Sequence, residues 1–187
     1  HIIYDLESSF KVLDVKKIIW DKRSFSNNLS RFYGEKLPDG SFKEKHCGKG
    51  PFISIIIRQD NPIYEKRETS KGVFLVNSNL YDKKQLYRRW TGGGHKVHTS
   101  NDVAEANHDM FFIFGAESFN YLEIENWNKK IEEYNSKIKG VDGWKNFNDM
   151  FSFINKISNY VILRNYEEID SINANDSDID FLTKDKD

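Results

Sequence analysis

The chain has 187 residues, enough for one ordinary domain and part of a second. Its 28 lysines and arginines against 29 acidic residues leave a net charge of −1, which removes the electrostatic case for duplex nucleic acid or an anionic membrane as partner. A 38% apolar content suits a packed core, the single cysteine excludes an intramolecular disulfide framework, and no apolar stretch approaches a membrane span or signal peptide, so the expectation is a soluble protein of a reducing, cytoplasmic compartment.

The first residue is His1 rather than Met and the chain stops in KDKD just after a hydrophobic strand, which predicts a piece of a longer parent. KVLDVKKIIW, residues 11 to 20, is rich in β-branched residues and alternates toward its end, the pattern of a strand. SFSNNLSRFYG then spaces Phe25, Leu29 and Phe32 as a helix does, with Gly34 as its stop. After the turn-rich LPDGSFKEKHCGKG, the run PFISIII (51 to 57) is almost continuously apolar and predicts a central strand buried on both faces. QDNPIYEKRETSKG predicts a short helical or turn segment carrying Arg67, GVFLVNS (72 to 78) a strand or loop, and LYDKKQLYRRW (80 to 90) a helix ended by three glycines.

HKVH predicts a short strand. Asp102 with Glu105 three residues later forms a capping-box-like start to a helix whose stripe is Val103, Ala106, Met110 and Ile113, closed by Gly115. Past Gly115 the texture changes. Ile124, Trp127, Ile131, Tyr134 and Ile138 recur at spacings of three and four, which predicts an amphipathic helix with a charged outer face. A second helix is predicted over 144 to 157, followed by the strand YVILRN, a polar loop, and the strand SDIDFLT. These changes predict one domain over residues 1 to 116 and a second segment over 117 to 187.

The segment GGGHKVHTSND (92 to 102) admits three readings. Zinc is one, with His46 and Cys47 as supplementary ligands, but a spacing of three on a strand sends His95 and His98 to opposite faces. A structural turn with surface histidines is the second. The third comes from resemblance: HKVHTSNDVAEANHDMFFIF resembles the active-site segment of nucleoside diphosphate kinases, in which Asn-x-x-His-Gly-Ser-Asp precedes a small residue, a glutamate and an apolar helix. His98 falls on that family's phosphoryl-accepting histidine, Ser100 on the serine after it, Asn101 on the aspartate, Ala106 on the helix alanine and Asp109 on the glutamate that holds the histidine.

GPFISIIIRQDNPIYEKR is similar to a second family block, with Gly50, Pro51 and Arg67 in matching positions, and YRRW supplies Arg88 or Arg89 where the family has a phosphate-binding arginine. His95 stands at the family's asparagine, Thr99 at the glycine after the histidine, Ile19 at a lysine and Trp20 at a proline. Over roughly residues 11 to 115 the resemblance implies an α+β fold, a ferredoxin-like antiparallel sheet with helices on one face. It also implies phosphoryl transfer from a nucleotide that brings Mg²⁺. His98 is the nucleophile, Asp109 orients it, and Arg67, Arg88 or Arg89, His95 and Ser100 line the phosphates.

YVILRN, the polar loop and SDIDFL resemble a different family, the polymerase-β-like nucleotidyltransferases, whose first strands carry Asp-x-Asp. Carboxylates two apart share one face of a strand, so this resemblance implies Mg²⁺ and a triphosphate at Asp178 and Asp180, with Arg164 near that edge; an exposed acidic strand end is the alternative. The strand for a third carboxylate lies beyond the chain, so a helical segment and a partial α/β nucleotidyltransferase-like piece are expected. Two functions remain open. One is a nucleotide-dependent phosphotransferase-like domain of a larger nucleotidyltransferase-type protein of surface-glycan or sugar-nucleotide metabolism. The other, favoured by Ile19, is a non-catalytic nucleotide- or sugar-nucleotide-binding domain; either admits a homo-oligomer.

Overall fold

KVLDVKKII forms the middle of the principal sheet. This strand, β1 (Lys11–Ile19), is flanked antiparallel by β2 (Phe52–Arg58) and parallel by β5 (Glu132–Asn135). With both edges paired it can bury both faces, and Val12, Leu13, Val15 and Ile18 are all buried. The structure is a computed structural model and describes residues 1 to 69, 72 to 164 and 179 to 183.

The run FISIII, expected at the centre, is instead an edge. Only Ile56 of β2 is buried and Ile53 is 47% exposed. An apolar run records how poorly side chains tolerate water; which strand acquires two neighbours depends on what docks at each edge, and a distant segment docks on β1. The β1 and β5 pair is parallel, so the sheet is mixed rather than wholly antiparallel, and the arrangement is α+β.

Helices pack around this sheet, two of them, over Ile2–Glu7 and Phe42–Cys47, in stretches that the sequence did not mark as helical. The helix α1 (Ile2–Glu7) contributes Leu6 to a cluster with Phe10, Val12, Val15 and Tyr87, the last from α4 (Ser78–Trp90). The two helices are joined by Asp5, whose Oδ2 accepts from Tyr87 at 2.6 Å and Lys83 at 2.5 Å. Then α2 (Phe25–Tyr33) ends at Gly34 with φ of +62°, and α3 (Phe42–Cys47) starts at Ser41, which accepts from the Glu44 amide. The helix α5 (Val103–Phe114) starts at Asp102, whose side chain accepts from Glu105 N at 2.8 Å, while Glu105 accepts from Asn101 N at 2.6 Å.

Of the segment QDNPIYEKRETSKG, the described stretch QDNPIYEKRET is not helical. Residues Tyr64–Thr69 form β3, paired antiparallel with β4 (Gly72–Asn77) in register Arg67↔Phe74. Pairing with β4 along its whole length satisfies the backbone of β3, and of its side chains only Arg67 and Thr69 are partly covered.

The largest departure lies between 117 and 138. A 3-10 helix follows α5 over Gly115–Leu122, and the segment expected as an amphipathic helix is irregular until it enters β5. Trp127 N donates to Val12 O at 3.3 Å, Lys129 has φ of +63°, which breaks a helix, and β5 then pairs with β1. Lys16 meets Glu132 at 2.5 Å and Lys17 meets Glu133 at 2.7 Å across that pair. The open edge of β1 and these ion pairs outweigh a helical spacing that has no partner surface of its own.

Two compact units result, His1–Ile138 and Lys139–Asp187, so the division falls after β5 rather than at 116. In the second unit α6 (Phe147–Ile157) is capped by Asn146, and β6 (Tyr160–Arg164) pairs antiparallel with β7 (Asp180–Thr183). Phe151 stacks on Tyr160 at 5.3 Å, and Phe181 packs against both rings. Among the described residues no helix is long and apolar enough to cross a membrane.

Candidate functional site

After α4, Gly92, Gly93 and Gly94 take φ of +86°, +82° and +72°. Three successive left-handed residues reverse the chain, which glycine does without strain, and a Cβ on Gly94 would lie 2.5 Å from Nδ1 of His46. The triplet therefore makes a tight turn that lays residues 95 to 101 back along α4. Arg88 Nε donates to the Val97 carbonyl at 3.0 Å, and Lys84 Nζ reaches Oδ1 of Asn101 at 3.5 Å. HKVH is thus not a strand: the Val97 carbonyl is taken by an arginine side chain instead of by a neighbouring backbone.

His98 sits on this loop, with 34% of its side chain exposed. Glu105 and Asp109 are four residues apart on α5 and so share one helix face. The His98 Nε2 atom lies 3.1 Å from Oδ2 of Asp109 and 3.9 Å from Oε1 of Glu105. Ser100 Oγ donates to the same Asp109 oxygen at 2.8 Å, and His108 Nδ1 is 3.5 Å from the other. The ring of His98 is met edge-on by Phe32 and Tyr33, with centroids at 5.6 and 5.7 Å, and Lys43 Nζ lies 3.8 Å from the centre of the Tyr33 ring. The imidazole is fixed on one nitrogen and packed on its sides.

Burial pushes the Asp109 carboxyl up, but hydrogen bonds from His108 and His98, the charge of His98, and the Ser100 hydroxyl outweigh it and hold the group below its ordinary value. Burial, and then the nearby Cys47, Asp109 and Glu105, push the Tyr33 phenol upward, with Arg88 pulling the other way, so this hydroxyl stays protonated. His95 is lowered by burial, then by Arg88, Lys43 and His46. These neighbours describe one continuous environment in which Arg88 is the shared cation.

Not every residue singled out from the sequence arrives here. His95 turns away from His98 to pack with Phe42 and His46, at centroid distances of 6.1 and 5.8 Å, while the Cys47 thiol donates to its carbonyl at 3.3 Å. The two histidines of HKVH do not converge on one ion. The group that does converge is His98, Glu105 and Asp109, whose ligand atoms lie within 4.8 Å of one another, although both Asp109 oxygens already face donors. Arg67 lies on β3 and is paired with Glu65 at 2.6 Å and Asp82 at 3.9 Å, neither of them in the His98 segment. The Arg89 side chain is exposed at the end of α4.

Asp180 pairs with Arg164 Nε at 2.5 Å across β6 and β7, the juxtaposition expected of the acidic edge; Asp178 lies outside the described residues. Glu105 was legible only as a cap, and its second position beside His98 follows from its spacing to Asp109. Phe32 and Tyr33 carried no signal, because their approach to His98 joins segments more than sixty residues apart. No protein-family model, curated protein or solved structure matches this chain.

Proposed function

We propose that the first unit is a nucleotide-dependent phosphotransferase-like domain in which His98 accepts a phosphoryl group. The observation that carries this reading is the 3.1 Å contact between His98 Nε2 and Asp109. A carboxylate on Nε2 favours the tautomer with hydrogen there, which leaves the lone pair on Nδ1. Nδ1 is then the attacking atom. It forms the N–P bond as the bond from the γ-phosphorus to the β,γ-bridging oxygen breaks, and the nucleoside diphosphate departs with that electron pair. The phosphorylated ring retains the Nε2 hydrogen and gains positive charge, which Asp109 balances. Mg²⁺ enters as part of the nucleotide substrate, and Arg88 is a cation of the chain held against the loop through the Val97 carbonyl.

The relationship to a ferredoxin-like sheet belongs to the same proposal: its support is β1, α2 and the antiparallel β2, while the parallel β5 stands outside that pattern. The second unit is read as the start of a nucleotidyltransferase-like segment on the resemblance of SDIDFL, within a protein that handles nucleotides or sugar nucleotides. A second reading of the first unit, binding of a nucleotide or sugar nucleotide without transfer, is favoured by Ile19 and by the engagement of Arg67 with Glu65 and Asp82.

Incubation with γ-labelled ATP and Mg²⁺ separates the two. Label that is acid-labile, base-stable, located on Nδ1 and lost in His98→Asn is the expected result. Saturating nucleotide with no label overturns transfer, and bound but intact ATP then supports the second reading.

A further inference from the structure

Lysine is rarely buried without a carboxylate, because its charge is costly to desolvate. Lys84 is only 9% exposed, yet its one hydrogen bond among the described residues is to the Asn101 amide oxygen, at the long distance of 3.5 Å. The ring of Tyr81 lies 5.2 Å from its Nζ. Arg88 follows one helical turn later on the same face, and it too spends its Nε on a neutral oxygen, that of Val97. No carboxylate lies within 4.0 Å of either cation among the described residues. Two like charges are thus held side by side beneath residues 97 to 101, the loop that carries His98 and Ser100.

We propose that Lys84 and Arg88 form a subsite for the polyphosphate chain of a nucleoside di- or triphosphate, at the side of the His98 loop that faces α4. Its place next to the acceptor rests on the reading of His98 as phosphate-handling, whereas its binding of an anion does not. A phosphate oxygen supplies what both side chains lack: a full negative charge with several lone pairs, able to take Lys84 Nζ and the free Arg88 nitrogens together. Burial first, then Arg88, lower the Lys84 ammonium below its ordinary value, with Glu105 opposing, and a bound anion reverses that pressure. Asn101 is the movable element, since its side-chain oxygen occupies the place beside Nζ that the phosphate takes. The subsite answers the position of Ile19: the cation comes from α4 instead of the end of β1.

The test is titration calorimetry of the full chain, without Mg²⁺, using inorganic tripolyphosphate and ATP as separate probes. Wild type is expected to bind both, with affinity falling as salt rises, and Lys84→Met to weaken each by about tenfold or more, the loss of one charge-assisted hydrogen bond. Arg88→Gln is expected to act likewise, and Lys66→Met, which removes an exposed charge on β3, to change binding little. Thermal unfolding guards against misfolding. Ligand-free Lys84→Met should melt no lower than wild type, since an uncompensated buried charge is gone, but should lose the upward shift that tripolyphosphate gives wild type. Equal affinity for the two probes assigns the site to the phosphate chain alone, and tighter ATP adds the nucleoside. Unchanged affinity in Lys84→Met, or no binding of either probe by wild type, overturns the subsite. Absence of label on His98 with Lys84-dependent tripolyphosphate binding overturns transfer and leaves the subsite standing. Label and binding both intact in Lys84→Met do the reverse.

Discussion

Burial alone would raise the carboxyl of Asp109, and the donors around it reverse that tendency, so its folded value lies below its unfolded one. The sign of the linkage follows. A depressed carboxyl contributes stability that is fully present above about pH 4, the unfolded value, and is lost as pH falls through the folded value. Urea unfolding of wild type and Asp109→Asn, compared at roughly pH 6 and pH 3, should therefore show the wild-type advantage shrinking at the acid end. A difference that stays constant would mean that Asp109 is no better solvated in the fold than in the unfolded chain. His95 acts in the same direction at higher pH, since a histidine with a lowered folded value costs stability as pH falls below about 6.5. On the chemistry, Asp109→Asn should slow labelling of His98 by about 10²-fold or more, the scale of a lost proton-orienting group. Nucleotide affinity measured by titration should change far less.

At the scale of elements, β5 is the piece that closes the sheet, and its docking is anchored by one amide. The Asn28 side chain on α2 is fully buried, and its Oδ1 accepts from Ile138 N at 2.8 Å, just beyond the strand. Asn28→Ala leaves that buried N–H without a partner, which should cost about 1–3 kcal/mol in denaturant unfolding. A loss below roughly 0.5 kcal/mol would show that water or another carbonyl replaces the asparagine. The β6 and β7 pair presents the opposite case. Its Arg164 and Asp180 side chains are 63% and 44% exposed, so their ion pair is screened, and Asp180→Asn should change stability by no more than about 1 kcal/mol.

For the whole molecule, the division after Ile138 makes a sharp claim about truncation. A chain ending at 138 retains both partners of β1 and the contact of Ile138 with Asn28. One ending at 116 strips β5 and exposes an unpaired edge of the central strand. The longer piece should unfold cooperatively with near-native circular dichroism, and the shorter should be largely unfolded or aggregated. Equal behaviour of the two would place the division at 116 after all and reduce β5 to an accessory.

Much of the local structure was legible before any tertiary contact was known. β1, α2, α5 and α6 announce themselves through their patterns and α4 through its helix-forming residues, and Asp102 and Gly34 mark two of the ends, because caps and stripes depend on residues within a turn or two of each other. The spacing of His98, Ser100 and Asp109 was also readable, since all three lie within twelve residues of chain. What only the tertiary structure decided is everything that depends on a distant edge. It made β2 an edge strand and β1 the centre, drew a helix-like spacing into β5, and brought Asp82 of α4 to Arg67 of β3. It also laid the His98 loop over Lys84 and Arg88. The physical reason is common to all four: hydrogen bonds and charge compensation between remote segments outweigh propensities of a few tenths of a kcal/mol per residue, and no local pattern encodes which remote partner will be there.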